Sequence, residues 1–85
     1  MLFNSKENQC ALKVLQILDK RKSKYSKMAK ETKVSHTTLQ RVLKFLAKKK
    51  FIKRHDIGHM KVDYEITKKG EELLDCLINL RKILS

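Results

Sequence analysis

Residues 27–46 read KMAKETKVSHTTLQRVLKFL, and this stretch decides how the chain of 85 residues is organised. Ser35 is a residue type that caps helix N-termini well. Beyond it, Leu39, Val42, Leu43 and Leu46 recur at i, i+3, i+4 and i+7, the pattern of one buried helical face. That helix is expected to end between Lys48 and Lys50. A shorter helix is expected to follow Ser26 and end near Lys33, with Met28 and Ala29 pointing inward. Only a short turn at Lys33 and Val34 separates the two. The other side of the longer helix carries His36, Thr37, Gln40, Arg41, Lys44 and Lys48, and no acidic residue occurs between Ser35 and Lys50.

Working outward, residues 5–20 form a first helix. Asn4 can cap it, with Glu7 as the capping-box partner and Leu2 or Phe3 as the hydrophobic staple. Ala11, Val14, Leu15 and Leu18 give its buried stripe, widened by Leu12 and Ile17. On the C-terminal side the period changes. Met60, Val62, Tyr64 and Ile66 alternate with Lys61, Asp63, Glu65 and Thr67, as in a half-buried strand. Residues 51–55 supply a partner strand, and Asp56-Ile57-Gly58-His59 the turn, where Gly58 accommodates positive φ. Thr67 then caps a last helix that reaches Leu84, with acidic residues early and basic residues late, as the helix dipole favours.

The formal net charge is +12, from 21 basic and 9 acidic residues. From Lys20 to Lys61 there are 15 basic residues and 2 acidic ones, so the whole excess lies in the middle of the chain. A localised excess of this kind points to a polyanionic partner. With no proline and two glycines the chain is dense in regular structure. A single domain spanning residues 1–85 buries a modest core, which a partner subunit or a disulfide would reinforce. Apolar runs of a few residues fall far short of the ~20 that span a bilayer, and no export signal is visible. The expected location is intracellular, in the cytoplasm.

The polar face suits duplex DNA. Arg41 can pair bidentately with guanine and Gln40 with adenine, and Thr37 can meet a thymine methyl or a phosphate. His36 lies in the first turn, within reach of base or phosphate. Lys48 meets phosphates, as do Lys53, Arg54, His59 and Lys61 around the hairpin, and Lys22, Lys24, Tyr25, Ser26 and Lys27 near the start of the second helix. Ser35 joins this backbone-contacting set.

Residues 27–46, together with Tyr64-Glu-Ile-Thr-Lys-Lys-Gly-Glu-Glu-Leu-Leu, resemble winged helix-turn-helix transcriptional regulators, most of all small archaeal and archaeal-virus ones. The likeness covers roughly Asn8 to Leu84. It implies an α+β, mainly helical fold of three helices, a β-hairpin wing and a C-terminal helix. It also implies sequence-specific binding of double-stranded DNA, usually as a dimer. Residues 35–49 would then be the recognition helix, reading bases through His36, Thr37, Gln40, Arg41 and Lys44. Residues 51–67 would form the wing on the flanking backbone or minor groove. The family often has glycine where this chain has Lys33, which must therefore accept a less favourable backbone conformation or a different turn.

Between Leu73 and Leu84 eight of twelve residues are apolar, more than one core-facing stripe needs. Leu73, Leu77, Leu80 and Leu84 have coiled-coil spacing, so residues 70–85 are expected to form a dimerisation helix. Cys10 and Cys76 are placed on the first and last helices, where they form disulfides within or between subunits, or stay as buried thiols. No cofactor, metal site or enzymatic constellation is expected. His55 and His59 have an HxxxH spacing, but across a turn and with no cysteine nearby. Two other readings compete: a sequence-neutral architectural DNA coater and a protein–protein adaptor.

Overall fold

The computed structural model describes residues 5–58 and 61–84. In chain order these form α1 (Ser5–Lys20), β1 (Ser23–Lys24), α2 (Tyr25–Thr32), α3 (His36–Lys48), β2 (Ile52–Asp56), β3 (Val62–Ile66) and α4 (Lys68–Leu84). The α+β, mainly helical architecture matches the expectation from the sequence. Asn4, Leu2, Phe3, His59 and Met60, for which cap, staple, DNA-contact and strand roles are expected, lie outside the described residues.

Helix α1 is the element around which the others gather, since it touches α2, α3, α4 and β3. Its stripe of Ala11, Val14, Leu15 and Leu18 is buried, as is the α3 stripe of Leu39, Val42, Leu43 and Leu46. Met28 from α2, Ile52 from β2, Tyr64 from β3 and Leu74 from α4 complete the core. Burying a side chain of this size contributes roughly 1.5–3 kcal/mol, so these few residues supply most of what holds so small a chain folded.

The hairpin forms an antiparallel ladder with Ile52 opposite Ile66, Arg54 opposite Tyr64 and Asp56 opposite Val62. Strand β1 adds a third member, pairing Ser23 with Tyr64 and Lys24 with Asp63, so that β3 is central. Two residues are too few for an alternating pattern, which is why this strand was not legible in the sequence. Its presence starts α2 at Tyr25 rather than after Ser26, and Lys24 makes no side-chain cap bond there.

Two helix ends use left-handed backbone without glycine. Lys33 has φ 57° and ψ 29°, and its N–H donates to the Ala29 carbonyl at 3.2 Å. This is the αL termination of α2, so the turn keeps the family's expected shape and lysine takes the strained position. Lys50 has φ 65°. Its N–H reaches the Ala47 carbonyl at 3.0 Å and that of Phe51 reaches Leu46 at 2.8 Å, a Schellman closure of α3.

Thr67 ties the wing to the helices. Its hydroxyl lies 2.7 Å from the Lys50 carbonyl and 2.9 Å from that of Phe51, and its oxygen accepts from the Gly70 N–H at 3.0 Å. The expected cap of α4 is thus also the clamp between α3 and β3. Gly70 is required here: a Cβ on it would run into the Phe51 carbonyl oxygen and lie 2.8 Å from Ile66 Cγ1.

The two cysteines are not bonded. Cys10 is 2% exposed within the core, whereas Cys76 is exposed on α4. The disulfide considered from the sequence is therefore replaced by two free thiols, and the burial of Cys10 also closes it to a second copy. Burial pushes the Cys10 thiol up from its usual range, with the Glu7 charge acting in the same direction, which keeps it protonated and unreactive.

Two substitutions test these constraints by thermal or denaturant unfolding. Lys33→Gly relieves the αL strain and is expected to stabilise the fold by about 0.5–1 kcal/mol. Gly70→Ala is expected to destabilise it by about 1–3 kcal/mol through overpacking against backbone.

Candidate nucleic-acid interface

The turn before α3 positions the whole polar face. Ser35 Oγ accepts from the Thr38 N–H at 3.2 Å and its hydroxyl reaches Thr38 Oγ1 at 3.0 Å. Its side chain is thus engaged in capping the helix, not only displayed for phosphate contact. With the core stripe anchored, His36, Thr37, Gln40, Arg41, Lys44 and Lys48 are all exposed on the remaining faces.

Beside this helix runs a groove of about 820 Å³ between α3 and the sheet. Lys24 and Tyr25 line it from the β1–α2 junction, Gln40 and Lys44 from α3, and Arg54 and Lys61 from the wing. None of its lining residues is acidic. A cleft walled by one sign of charge concentrates its potential toward an anionic partner.

The register of the hairpin sorts the wing residues. Residues paired across an antiparallel ladder share a face, so Arg54 lies with Tyr64 on the groove side. Lys53 and His55 are opposite Glu65 and Asp63 on the other side. His55 Nε2 lies 3.2 Å from Glu65 Oε1, and Arg54 Nη1 lies 3.4 Å from Asp56 Oδ2, an exposed pair that solvent weakens. Lys53 therefore sits further from the groove than the sequence suggested, while Arg54 and Lys61 sit within it.

Two contacts of the α3 face were missed in the sequence. The Tyr25 hydroxyl lies 2.7 Å from His36 Nδ1, with the rings stacked at 11° and centroids 5.6 Å apart. When Nδ1 accepts this bond, the neutral ring carries its proton on Nε2 and presents a donor to the outside. Burial first, and Tyr64 second, raise the Tyr25 pKa, which keeps the phenol protonated. The second contact is an ion pair, Arg41 Nη1 to Glu7 Oε2 at 3.2 Å. The 34 positions between them gave no local signal.

Among the described residues, no helix is long and apolar enough to cross a membrane, and no cluster of His, Cys, Asp and Glu is placed to hold a metal ion. Helix α4 ends in an uncovered apolar surface: Leu80, Ile83 and Leu84 are exposed large hydrophobics, with Cys76 exposed one turn before Leu80. Leu73 and Leu77, by contrast, are half-buried against the chain's own core.

Solved structures share this arrangement. A Streptococcus mutans protein is 21% identical, with a TM-score of 0.85 over 99% of this chain and 86% of its own. A PadR-family transcription regulator from Clostridium difficile is 18% identical, with a TM-score of 0.81 over 88% of both chains. A Porphyromonas gingivalis protein assigned to the MarR family is 25% identical, with a TM-score of 0.72 over 85% of this chain and 74% of its own. These three are bacterial, and the archaeal and viral likeness expected from the sequence has no counterpart among them. No curated protein matches the sequence. A family model for the winged helix-turn-helix matches residues 6–85, and with that match the chain belongs to the winged helix-turn-helix family.

Proposed function

We propose that this protein is a transcriptional regulator that binds double-stranded DNA sequence-specifically inside the cell. The observation that carries the reading is the continuity of the acid-free α3 face with the cationic groove beside it. In this arrangement α3 enters the major groove. Thr37, Gln40, Arg41 and Lys44 meet base edges, and His36 offers its Nε2–H from the first turn. Lys24, Lys27, Lys48, Arg54 and Lys61 neutralise phosphates on either side. No small-molecule effector, cofactor or metal is needed for this reading.

The protein acts as a homodimer through the C-terminal part of α4. Leu80, Ile83 and Leu84 supply the apolar contact, with Leu73 and Leu77 at its margin. Leaving side chains this large 52–76% exposed forgoes burial worth about 25 cal/mol per Å². A two-fold pairing of such helices is isologous, and it presents two α3 helices to half-sites about 34 Å apart.

Selection of bound sites from a random duplex pool tests the reading, and enrichment of a two-fold motif is the expected result. Uniform recovery would instead indicate a sequence-neutral coater, and no recovery an adaptor. On the selected site, Arg41→Ala is expected to lose about 1–3 kcal/mol and relax preference at one base pair. Arg54→Ala should weaken binding to every duplex and flatten the log–log salt dependence by about 0.9, whereas Lys53→Ala changes it less. Ile83→Glu combined with Leu80→Glu is expected to give monomers in analytical ultracentrifugation, with helical content kept and cooperative binding to the two-fold site lost.

A further inference from the structure

We infer that Glu7 is a positioning residue for Arg41, sharpening base preference while lowering affinity for DNA in general. This rests on the DNA-reading role of α3 proposed above. Glu7 precedes Ala11 by one turn and continues the buried stripe of α1, so it occupies a place where an apolar side chain would pack. Instead it is a carboxylate 7% exposed, and it accepts from Arg41 Nη1 at 3.2 Å. A buried charge needs partners, and one of them here is the arginine in the middle of the α3 polar face.

The exposures of the two side chains show what such a contact can do. The Glu7 side chain is 9% exposed and that of Arg41 67%, so the carboxylate grips one end of the guanidinium and leaves most of it outside. Arginine carries five N–H donors in a rigid plane. Fixing one Nη orients the remaining donors, which are those a bidentate contact to guanine O6 and N7 would use. The rotamer freedom of a long side chain is then lost before binding rather than during it. Because α1 is anchored by Ala11 and Val14, both 0% exposed, the grip comes from the core of the molecule.

The charge balance separates this role from simple attraction. Between Ser35 and Lys50 the α3 segment has no acid of its own, and the groove beside it has none. A carboxylate brought in from α1 therefore opposes the electrostatic trend of the face. Near phosphates it repels DNA of any sequence, and that penalty is a general route to discrimination.

The test compares Glu7→Gln, Glu7→Asp and Arg41→Ala, alone and paired, on the full chain, with folding checked by circular dichroism. Each is titrated with the selected duplex and a random one. Glu7→Gln is expected to tighten random binding by about 2–3-fold and to lower the selected-to-random ratio by about 3–10-fold. Glu7→Asp keeps the charge but shortens the reach, so the ratio should fall while random binding stays unchanged. In the Arg41→Ala background neither Glu7 change should alter the ratio further, because the coupled term is already gone. A ratio unchanged by both Glu7 variants would overturn the inference and leave a purely structural ion pair. A raised ratio would overturn it too, since Glu7 would then be withholding Arg41 from DNA. If Arg41→Ala itself leaves the ratio intact, the DNA-reading role of α3 fails as well, which distinguishes the two failures.

Discussion

The burial of Leu39, Val42, Leu43 and Leu46 is the constraint on which the rest of the molecule depends. It fixes the rotation of α3 about its own axis, so every side chain off that stripe has a set direction. The same four residues require α1 beneath them, and α1 in turn receives α2, β3 and α4. In a chain this short there is little other apolar material to substitute. The display of His36, Thr37, Gln40, Arg41 and Lys44 is therefore a by-product of core formation and needs no separate scaffold.

A second layer of organisation is polar and local. Ser35 closes the start of α3, Lys33 and Lys50 take left-handed conformations at helix ends, and Thr67 joins the end of α3 to the wing. None of these contributes much apolar burial. Each instead satisfies main-chain groups that a helix terminus leaves open. The use of lysine at both left-handed positions keeps two positive charges at helix C-termini, where the dipole favours them. Glycine would relieve strain there but remove charge from an already basic surface.

Much of this was legible in the sequence because it follows from period and capping. The helical stripes of α1 and α3, the alternation over Val62–Ile66, and the caps at Ser35 and Thr67 are local signals. The family motifs in residues 27–46 and 64–74 reinforced them. What escaped depends on distance or on brevity. Strand β1 is two residues long and exists only because β3 offers it an edge. Glu7 reads locally as a capping residue, and nothing near it in sequence announces Arg41. Tyr25 and His36 each suit a DNA contact by residue type, whereas folding first brings them to one another. In α4 the spacing of Leu73, Leu77, Leu80 and Leu84 was visible, but spacing alone could not say how far the core extends along the helix. The structure covers Leu73 and Leu77 in part and leaves the last turns bare.

Thr67 has one more implication. A single hydroxyl touches the final carbonyls of the α3 segment and the first turn of α4, while its own backbone N–H holds Phe51 at 3.0 Å. The end of α3, the base of the hairpin and the start of α4 are thus jointed at one hub, so the loss of one hydroxyl would slacken three elements at once.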